Sequence, residues 1–136
     1  MSTPRVVRVV AAALYDGRGR VLIADRPAGK HMAGRWEFPG GKVGEGEALA
    51  DALARELNEE LGITVKTAQP LLDITHDYPD RRVELHMWLV NGYTGEPQSL
   101  DGQRLKWVEP ARLSEEDILE ADRPFIEALQ NLPSPR

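Results

Sequence analysis

Apolar residues that alternate with polar ones, or that form short β-branched runs, predict six β-strands along this chain. A Gly-containing turn separates the first two strands, and a segment rich in Gly and Pro surrounds the third. Proline ends the last strand. The predicted strands occupy residues 5–16, 21–26, 36–38, 69–78, 81–93 and 105–110.

Helical spacing predicts two helices among these strands. In the first, over 47–61, Gly62 supplies the stop, and the apolar residues recur at every fourth position as Leu49, Leu53, Leu57 and Leu61. The second is expected over 114–132, with Ser114 as its N-cap. A break is expected near 122–124, because proline disfavours helix at the residue before it. Strands interleaved with helices in this order predict an α/β fold with a mixed β-sheet.

Three glutamates are crowded on the first predicted helix. At 100° per residue, Glu56, Glu59 and Glu60 fall within about a 100° arc that borders the leucine face. Like charges three or four positions apart cost an isolated helix roughly 0.2 to 0.5 kcal/mol per pair. One interpretation is a solvated acidic face, partly offset by Arg55. The other is a bound Mg²⁺ or Mn²⁺, because carboxylates are the hard oxygen ligands that these cations require.

Composition narrows the set of partners. The 136 residues carry a formal net charge of −5, so the chain lacks the general positive field that holds a nucleic acid polymer. A small anionic substrate would need a bound cation or a local cluster of Arg and Lys. The absence of cysteine, of a secretory signal and of a membrane span predicts a cytoplasmic protein with no membrane partner. The length predicts a single domain over residues 1–136, by default a monomer.

A spaced set of residues resembles the Nudix box. Gly41 is followed, at the family's intervals, by Glu47, Arg55-Glu56-Leu57, Glu59-Glu60 and Gly62-Ile63. The segments HMAGRWEFPGGK, YPDRR, GEP and DGQ fall in the order seen in the MutT-like branch of that family. The resemblance covers nearly the whole chain. It implies a Nudix α/β/α sandwich with a mixed β-sheet, in which the box forms a loop, a helix and a loop beside a nucleotide cleft.

The resemblance assigns roles on the metal side of that cleft. It makes Glu56, Glu59 and Glu60 catalytic ligands of Mg²⁺ or Mn²⁺, with the Gly40 carbonyl contributing. Asp101 stands where the branch has an acidic residue for metal binding or water activation. The alternative for Asp101 is an ordinary Asp-Gly turn. The residues that would brace the loop around the helix are Gly41, Glu47 and Arg55.

The resemblance also assigns residues to the nucleotide. Arg26 and Arg81 suit phosphate contacts, and Tyr78 suits stacking on a base. Their alternatives are surface cations for the arginines and a packing residue at a strand end for the tyrosine. The other implied substrate positions are His31, whose alternative is an exposed loop residue, and the strand residues Glu37, Phe38, Pro39 and Gly40.

Asp122 bears on which base is bound. It occupies the position of an asparagine by which relatives in this branch recognise oxidised guanine. An amide both donates and accepts hydrogen bonds, whereas an ionised carboxylate only accepts and suits the amino group of cytosine. The alternative is that Asp122 caps the last helix.

The activity that the resemblance implies is hydrolysis of a nucleoside triphosphate, 8-oxo-dGTP, to the monophosphate and pyrophosphate by attack of water at the β-phosphorus. Asp122 favours an alternative substrate set of CTP, dCTP and 5-substituted cytidine triphosphates. A hydrolase of another diphosphate is a third possibility. The fourth, a Nudix-fold sensor that binds nucleotide without hydrolysing it, is disfavoured because the carboxylate set is complete.

Overall fold

The computed structural model describes residues 5–26 and 34–132. Along them lie β1 (Arg5–Leu14), β2 (Val21–Asp25), β3 (Trp36–Glu37), β4 (Gly40–Lys42), α1 (Leu49–Leu61), β5 (Thr64–Asp77), β6 (Arg81–Thr94), β7 (Leu105–Val108) and α2 (Arg123–Gln130). Two short 3₁₀ turns, Pro110–Glu115 and Glu120–Asp122, precede α2.

The strands form two sheets. The larger has the order β4-β1-β6-β5, in which β1 runs parallel to β6, whereas the β1–β4 and β5–β6 pairs are antiparallel. The smaller is antiparallel throughout, with the order β3-β2-β7. The predicted mixed sheet is therefore confirmed.

β5 is longer than predicted and begins at Thr64, because β6 pairs with it from Thr64 to Asp77. The pairing shifts register directly after Pro70, which cannot donate a ladder hydrogen bond, and also between Val65 and Ala68. Proline is tolerated there because β5 is an edge strand of its sheet.

Two hydrophobic clusters lie on opposite faces of the larger sheet. Successive side chains of a strand point to opposite faces, so Ala11 and Ala13 of β1 enter one cluster, and Val10 and Ala12 enter the other. The first cluster includes the buried face of α2, and the second includes the buried leucines of α1. A fully buried leucine contributes about 1.5 to 3 kcal/mol to stability. One helix thus covers each face, and the expected α/β/α sandwich is confirmed.

Helix α1 begins two residues later than predicted and ends where predicted. Gly62 follows it with φ 73°, and its backbone N–H donates to the Asn58 carbonyl at 3.0 Å. This left-handed conformation costs an L-residue roughly 1 to 2 kcal/mol. Glycine has no Cβ and avoids that cost, which explains why glycine follows the helix. The last turn of the helix, with Glu59 and Glu60, is therefore well defined.

The segment before α2 departs from the prediction. The helix starts at Arg123, where a break was expected, and Ser114 lies in a 3₁₀ turn, so its prediction as an N-cap is wrong. The cause is tertiary. Trp36 donates its N–H to the Asp117 carbonyl (2.9 Å), and Leu119 donates its N–H to the Trp36 carbonyl (3.0 Å). These bonds hold the segment extended beside β3. Within residues 5–26 and 34–132, no helix is long and apolar enough to cross a membrane.

Candidate active site

A cleft of about 970 Å³ opens where β1, β4, α1 and the loop before β7 meet. Val9, Val10 and Ala11 of β1 and Leu85 of β6 supply apolar lining. The sequence-predicted residues that the cleft brings together are Arg26, Glu37, Phe38, Gly40, Gly41, Glu56, Glu59, Glu60, Asp101 and Asp122.

Two adjacent glycines of strand β4 allow close contacts at the floor of this cleft. A Cβ on Gly40 would lie 1.9 Å from the Val10 carbonyl oxygen, so only glycine permits the observed approach of β4 to β1. A Cβ on Gly41 would lie 2.3 Å from the carboxyl carbon of Glu56. The Glu56 carboxylate therefore fills the space that a side chain at position 41 would need, and the bracing role of Gly41 stays a prediction.

Glu60 is a partly buried carboxylate in this cleft. One of its oxygens accepts a hydrogen bond from the Gly40 backbone N–H, whereas the other, Oε2, is buried without a hydrogen-bond partner among the described residues. Burial, together with the charges of Glu56, Glu37 and Asp101, raises the pKa of Glu60 to about 8. Within residues 5–26 and 34–132, no ion pair compensates the Glu60 carboxyl group.

Arg55 connects the glycine-rich loop to the glutamates of α1. Its guanidinium donates to both oxygens of Glu47 (2.8 and 2.9 Å), to the Lys42 carbonyl (3.0 Å) and to Glu56 (2.9 Å), with a longer contact to Glu59 (3.4 Å). The bonds from Arg55 and from the Gly44 N–H lower the pKa of Glu47 to about 2, and Glu47 and Glu56 raise the pKa of Arg55. Arg55 thus ties the loop to α1, and the bracing roles of Glu47 and Arg55 stay predictions.

The far side of the cleft holds Asp122 and an ion pair. Asp122 is 8% exposed, and its Oδ2 accepts the Phe38 backbone N–H at 3.1 Å. Burial raises the pKa of Asp122 to about 7 against the lowering effect of this hydrogen bond. Asp122 occupies the N-cap position of α2, yet its side chain does not cap the helix. Beside it, Arg26 Nη1 lies 3.1 Å from Glu37 Oε1.

Some predicted residues do not line the cleft. Tyr78 and Arg81 close the β5–β6 hairpin, where the Arg81 guanidinium stacks 4.9 Å from the Tyr78 ring centroid. Their substrate roles stay predictions. Pro39 is not a lining residue either, although its carbonyl accepts the Ala12 N–H at 2.9 Å and so positions the cleft wall. His31 lies outside the described residues.

Two polar residues of the cleft were not singled out from the sequence. Asp25, at the end of β2, is 9% exposed and accepts two 2.6 Å bonds from Arg104. Burial would raise the pKa of Asp25, but these bonds outweigh it and leave the pKa below its usual value. Gln103 is 7% exposed. Asp25 could have been noticed in the sequence, because it is a charged residue at the end of the apolar run of β2. Nothing in the sequence around Gln103 indicates that this residue lines the cleft.

The donor set of the cleft fits a hard divalent cation. Its lining carboxylates are Asp25, Glu37, Glu56, Glu59, Glu60, Asp101 and Asp122, against the cations Arg26 and Lys42. In residues 5–26 and 34–132, no three acidic or histidine side chains already converge on a metal position. Arg55 holds Glu56 and, more loosely, Glu59. Oε2 of Glu60, which is buried and has no hydrogen-bond partner in the part of the chain that the structure describes, is nevertheless the kind of oxygen ligand that Mg²⁺ binds.

Comparison with known proteins places this geometry in a family. The NUDIX domain model matches residues 10–128. An 8-oxo-dGTP diphosphatase of Escherichia coli is 34% identical over 93% of this chain and 98% of that protein. A CTP pyrophosphohydrolase of Escherichia coli is 37% identical over 93% of this chain and 94% of that protein. The solution structure of the Escherichia coli ORF135 protein superposes with a TM-score of 0.84 at 36% identity, covering 93% of this chain and 90% of that one. The resemblance predicted from the sequence is confirmed, and the chain belongs to the NUDIX domain family.

Proposed function

We propose that this protein is a divalent-metal-dependent hydrolase that cleaves a nucleoside triphosphate to the monophosphate and pyrophosphate. The observation that carries the proposal is the partly buried Glu60, whose Oε2 has no hydrogen-bond partner among the described residues and which faces Glu56 and Asp101 in one cleft. A cation compensates this charge and lets an acidic cleft accept a triphosphate. A polyanion without a cation would be repelled by the same carboxylates.

The leading substrate is 8-oxo-dGTP, supported by the name of the Escherichia coli relative that matches nearly end to end. Clearing this nucleotide from the pool before it enters DNA is the role that we propose. CTP, dCTP and 5-substituted cytidine triphosphates form the second candidate set, supported by the other relative's name and by Asp122. One Asp122 oxygen accepts a backbone N–H already. An ionised Asp122 offers only acceptors to a base, whereas its protonated form, which a pKa of about 7 keeps populated at neutral pH, also offers a donor.

The mechanism follows from what each group of the chain can do. Glu56, Glu59, Glu60 and the Gly40 carbonyl would hold Mg²⁺, with Mn²⁺ as the substitute, and Asp101 would join them from the facing loop. The chemistry that such a cation supplies is neutralisation of phosphate oxygens and acidification of water. Arg55 and Glu47 keep Glu56 oriented against β4. Glu56 or Asp101 would accept the proton of the attacking water.

On the substrate side, Arg26 would contact phosphate oxygens from the wall opposite α1, held in place by Glu37. Phe38 and Asp122 would meet the base. Their positions are tied together, since Asp122 accepts the Phe38 N–H. Pro39 supports this wall, while His31, Tyr78 and Arg81 are proposed as further substrate contacts.

Pyrophosphate release in the presence of Mg²⁺ tests the activity. Glu56→Gln should remove most turnover, because the amide no longer binds a cation or accepts a proton as a carboxylate does, while the melting temperature should stay close to that of the wild type. Asp51→Asn is the matched control, since Asp51 is an exposed acid on the same helix and outside the cleft. If Glu56→Gln released pyrophosphate at the wild-type rate, the catalytic role assigned to Glu56 would be wrong. Nucleotide binding without any pyrophosphate release would favour a sensor.

The choice of base is tested by specificity constants for 8-oxo-dGTP, dGTP, CTP, dCTP and 5-substituted dCTP in the wild type and in Asp122→Asn. If the wild type prefers a cytosine nucleotide and the variant shifts towards oxidised guanine, Asp122 decides the base. If neither preference moves, Asp122 has a structural role alone. The proposal further comprises a single domain over residues 1–136 that acts as a monomer in the cytoplasm on nucleotides and not on nucleic acid polymers.

A further inference from the structure

The loop between β6 and β7 is attached to the end of helix α1. The Gln98 N–H donates to the Leu61 carbonyl at 2.9 Å, and the Leu100 N–H donates to the Glu60 carbonyl at 3.1 Å. The last carbonyls of a helix have no partner within the helix, so these bonds satisfy groups that would otherwise need water. The loop is thereby fixed beside the residue whose carboxylate faces the cleft.

Gln103 organises the inside of this loop. Its side-chain oxygen Oε1 accepts the Asp101 backbone N–H at 3.0 Å and the Ser99 hydroxyl at 3.0 Å. The Ser99 hydroxyl also contacts the Gln103 carbonyl oxygen at 2.5 Å. Between Asp101 and Gln103, Gly102 has φ 79°, which permits the tight turn that brings the side chain back onto the backbone. Asp101 is thus held by a buried side chain of its own loop.

We propose that Gln103 is a positioning residue that, through the Asp101 N–H, presents the Asp101 carboxylate to the metal side of the cleft opposite Glu60. This inference rests on the proposed metal-dependent function. Gln103 acts through Asp101 and does not itself bind the cation or the substrate phosphates. Its consequence is that Asp101 is already in place before the cation binds.

The chemistry of the glutamine side chain suits this task. Gln103 is 7% exposed and lines a cleft crowded with carboxylates. An amide oxygen accepts a backbone N–H as a carboxylate oxygen does, yet it brings no further negative charge into that cleft. Burying an uncharged, hydrogen-bonded group also costs far less than burying a charged one. Glutamine therefore fixes the loop without adding to the repulsion.

Gln103→Met tests the inference, because it keeps the length and approximate volume of the side chain and removes the acceptor. In the metal-free protein, hydrogen exchange of the Asp101 amide should become at least about 10-fold faster. Calorimetric Mn²⁺ binding should weaken by about 10-fold, the lower end of what loss of a group supporting a metal ligand costs. Ser99→Ala is the matched control, since it removes bonds to Gln103 and leaves the Asp101 bond intact. It should change neither quantity by more than about 2-fold.

Gln103→Glu separates the acceptor from general packing, because it retains an oxygen at the same position and should keep the Asp101 amide protected. If this amide exchanges as fast as in Gln103→Met, the acceptor is not what holds the loop and the inference fails. This readout does not depend on how the added charge alters metal binding.

A double-variant cycle identifies the route of the effect. Asp101→Asn should weaken Mn²⁺ binding, and adding Gln103→Met to it should produce no further weakening. If the two substitutions weaken Mn²⁺ binding independently, so that their fold-changes in affinity multiply in the double variant, Gln103 acts apart from Asp101 and the inference is overturned. Unchanged Mn²⁺ binding in Asp101→Asn alone would overturn it as well. Pyrophosphate release by the wild-type protein reports separately on the proposed function, so failure of one is distinguishable from failure of the other.

Discussion

Replacing Gly41 by alanine would test how closely the Glu56 carboxylate has to lie against strand β4. The added Cβ would stand 2.3 Å from the Glu56 carboxyl carbon, and ordinary contact begins at 3.4 Å, so the carboxyl group has to move by about 1.1 Å. A displacement of about 1 Å in a catalytic constellation can cost 100-fold in rate. We therefore expect kcat/KM of Gly41→Ala to fall by about 100-fold.

The same substitution at the neighbouring position supplies the control. In Gly40→Ala the Cβ would stand 1.9 Å from the Val10 carbonyl oxygen, which belongs to backbone and cannot swing aside as the end of the Glu56 side chain can. The β1–β4 pairing has to separate, at a cost of about 3 kcal/mol, the upper end of ordinary overpacking. For a chain of this size, that lowers the melting temperature by roughly 10 °C. Gly41→Ala should lower it much less.

The assay is pyrophosphate release at saturating Mg²⁺, run beside thermal melts of both variants. Gly41→Ala should be a folded, poorly active protein, and Gly40→Ala a destabilised one. If Gly41→Ala keeps the wild-type rate and the wild-type melting temperature, the position of Glu56 against β4 is not needed for catalysis.

Two further predictions concern Asp122 and Arg55. Burial raises the pKa of Asp122 from its usual value of 3.8 to about 7 in the folded protein, so Asp122 by itself should contribute a loss of stability as the pH rises from about 4 to 7. Asp122→Asn should abolish that loss and melt higher than the wild type at pH 8, with the difference vanishing near pH 3.5; parallel melting curves over this range would contradict the prediction. Arg55→Lys should reduce pyrophosphate release by roughly 10- to 100-fold, because a single ammonium cannot reproduce the planar fork that binds Glu47, Glu56 and a backbone carbonyl. Its melting temperature should change little, since the Arg55 side chain is 37% exposed, and a wild-type rate would show that the fork is dispensable.

Local patterns determined most of the secondary structure. The four-residue recurrence of leucines and Gly62 fixed helix α1 and its end, because helix periodicity and a left-handed stop depend on a few neighbouring residues. The crowding of Glu56, Glu59 and Glu60 was likewise visible in the sequence, and all three line the cleft. The match of the box to a family pattern extended this to the α/β/α sandwich.

Tertiary contacts decided what those patterns left open. Ser114 has the sequence environment of an N-cap, yet bonds between Trp36 and residues 117 and 119 hold the following segment extended and delay α2 to Arg123. The first residues of β5 show no alternation that would predict a strand, and only their pairing with β6 makes them one. Such bonds join residues distant in sequence, so no local window contains both partners.

The properties that make the cleft reactive also depend on distant residues. Glu60 owes its raised pKa to burial and to Glu56, Glu37 and Asp101, which three different elements and loops bring together. Asp122 meets Phe38 across 84 positions of sequence. Residue identity and helix period are local properties, so the carboxylates of the cleft could be identified before the fold was known. Folding determines which of them are buried and which, among the described residues, have no hydrogen-bond partner, because burial and electrostatic interaction depend on distances in space.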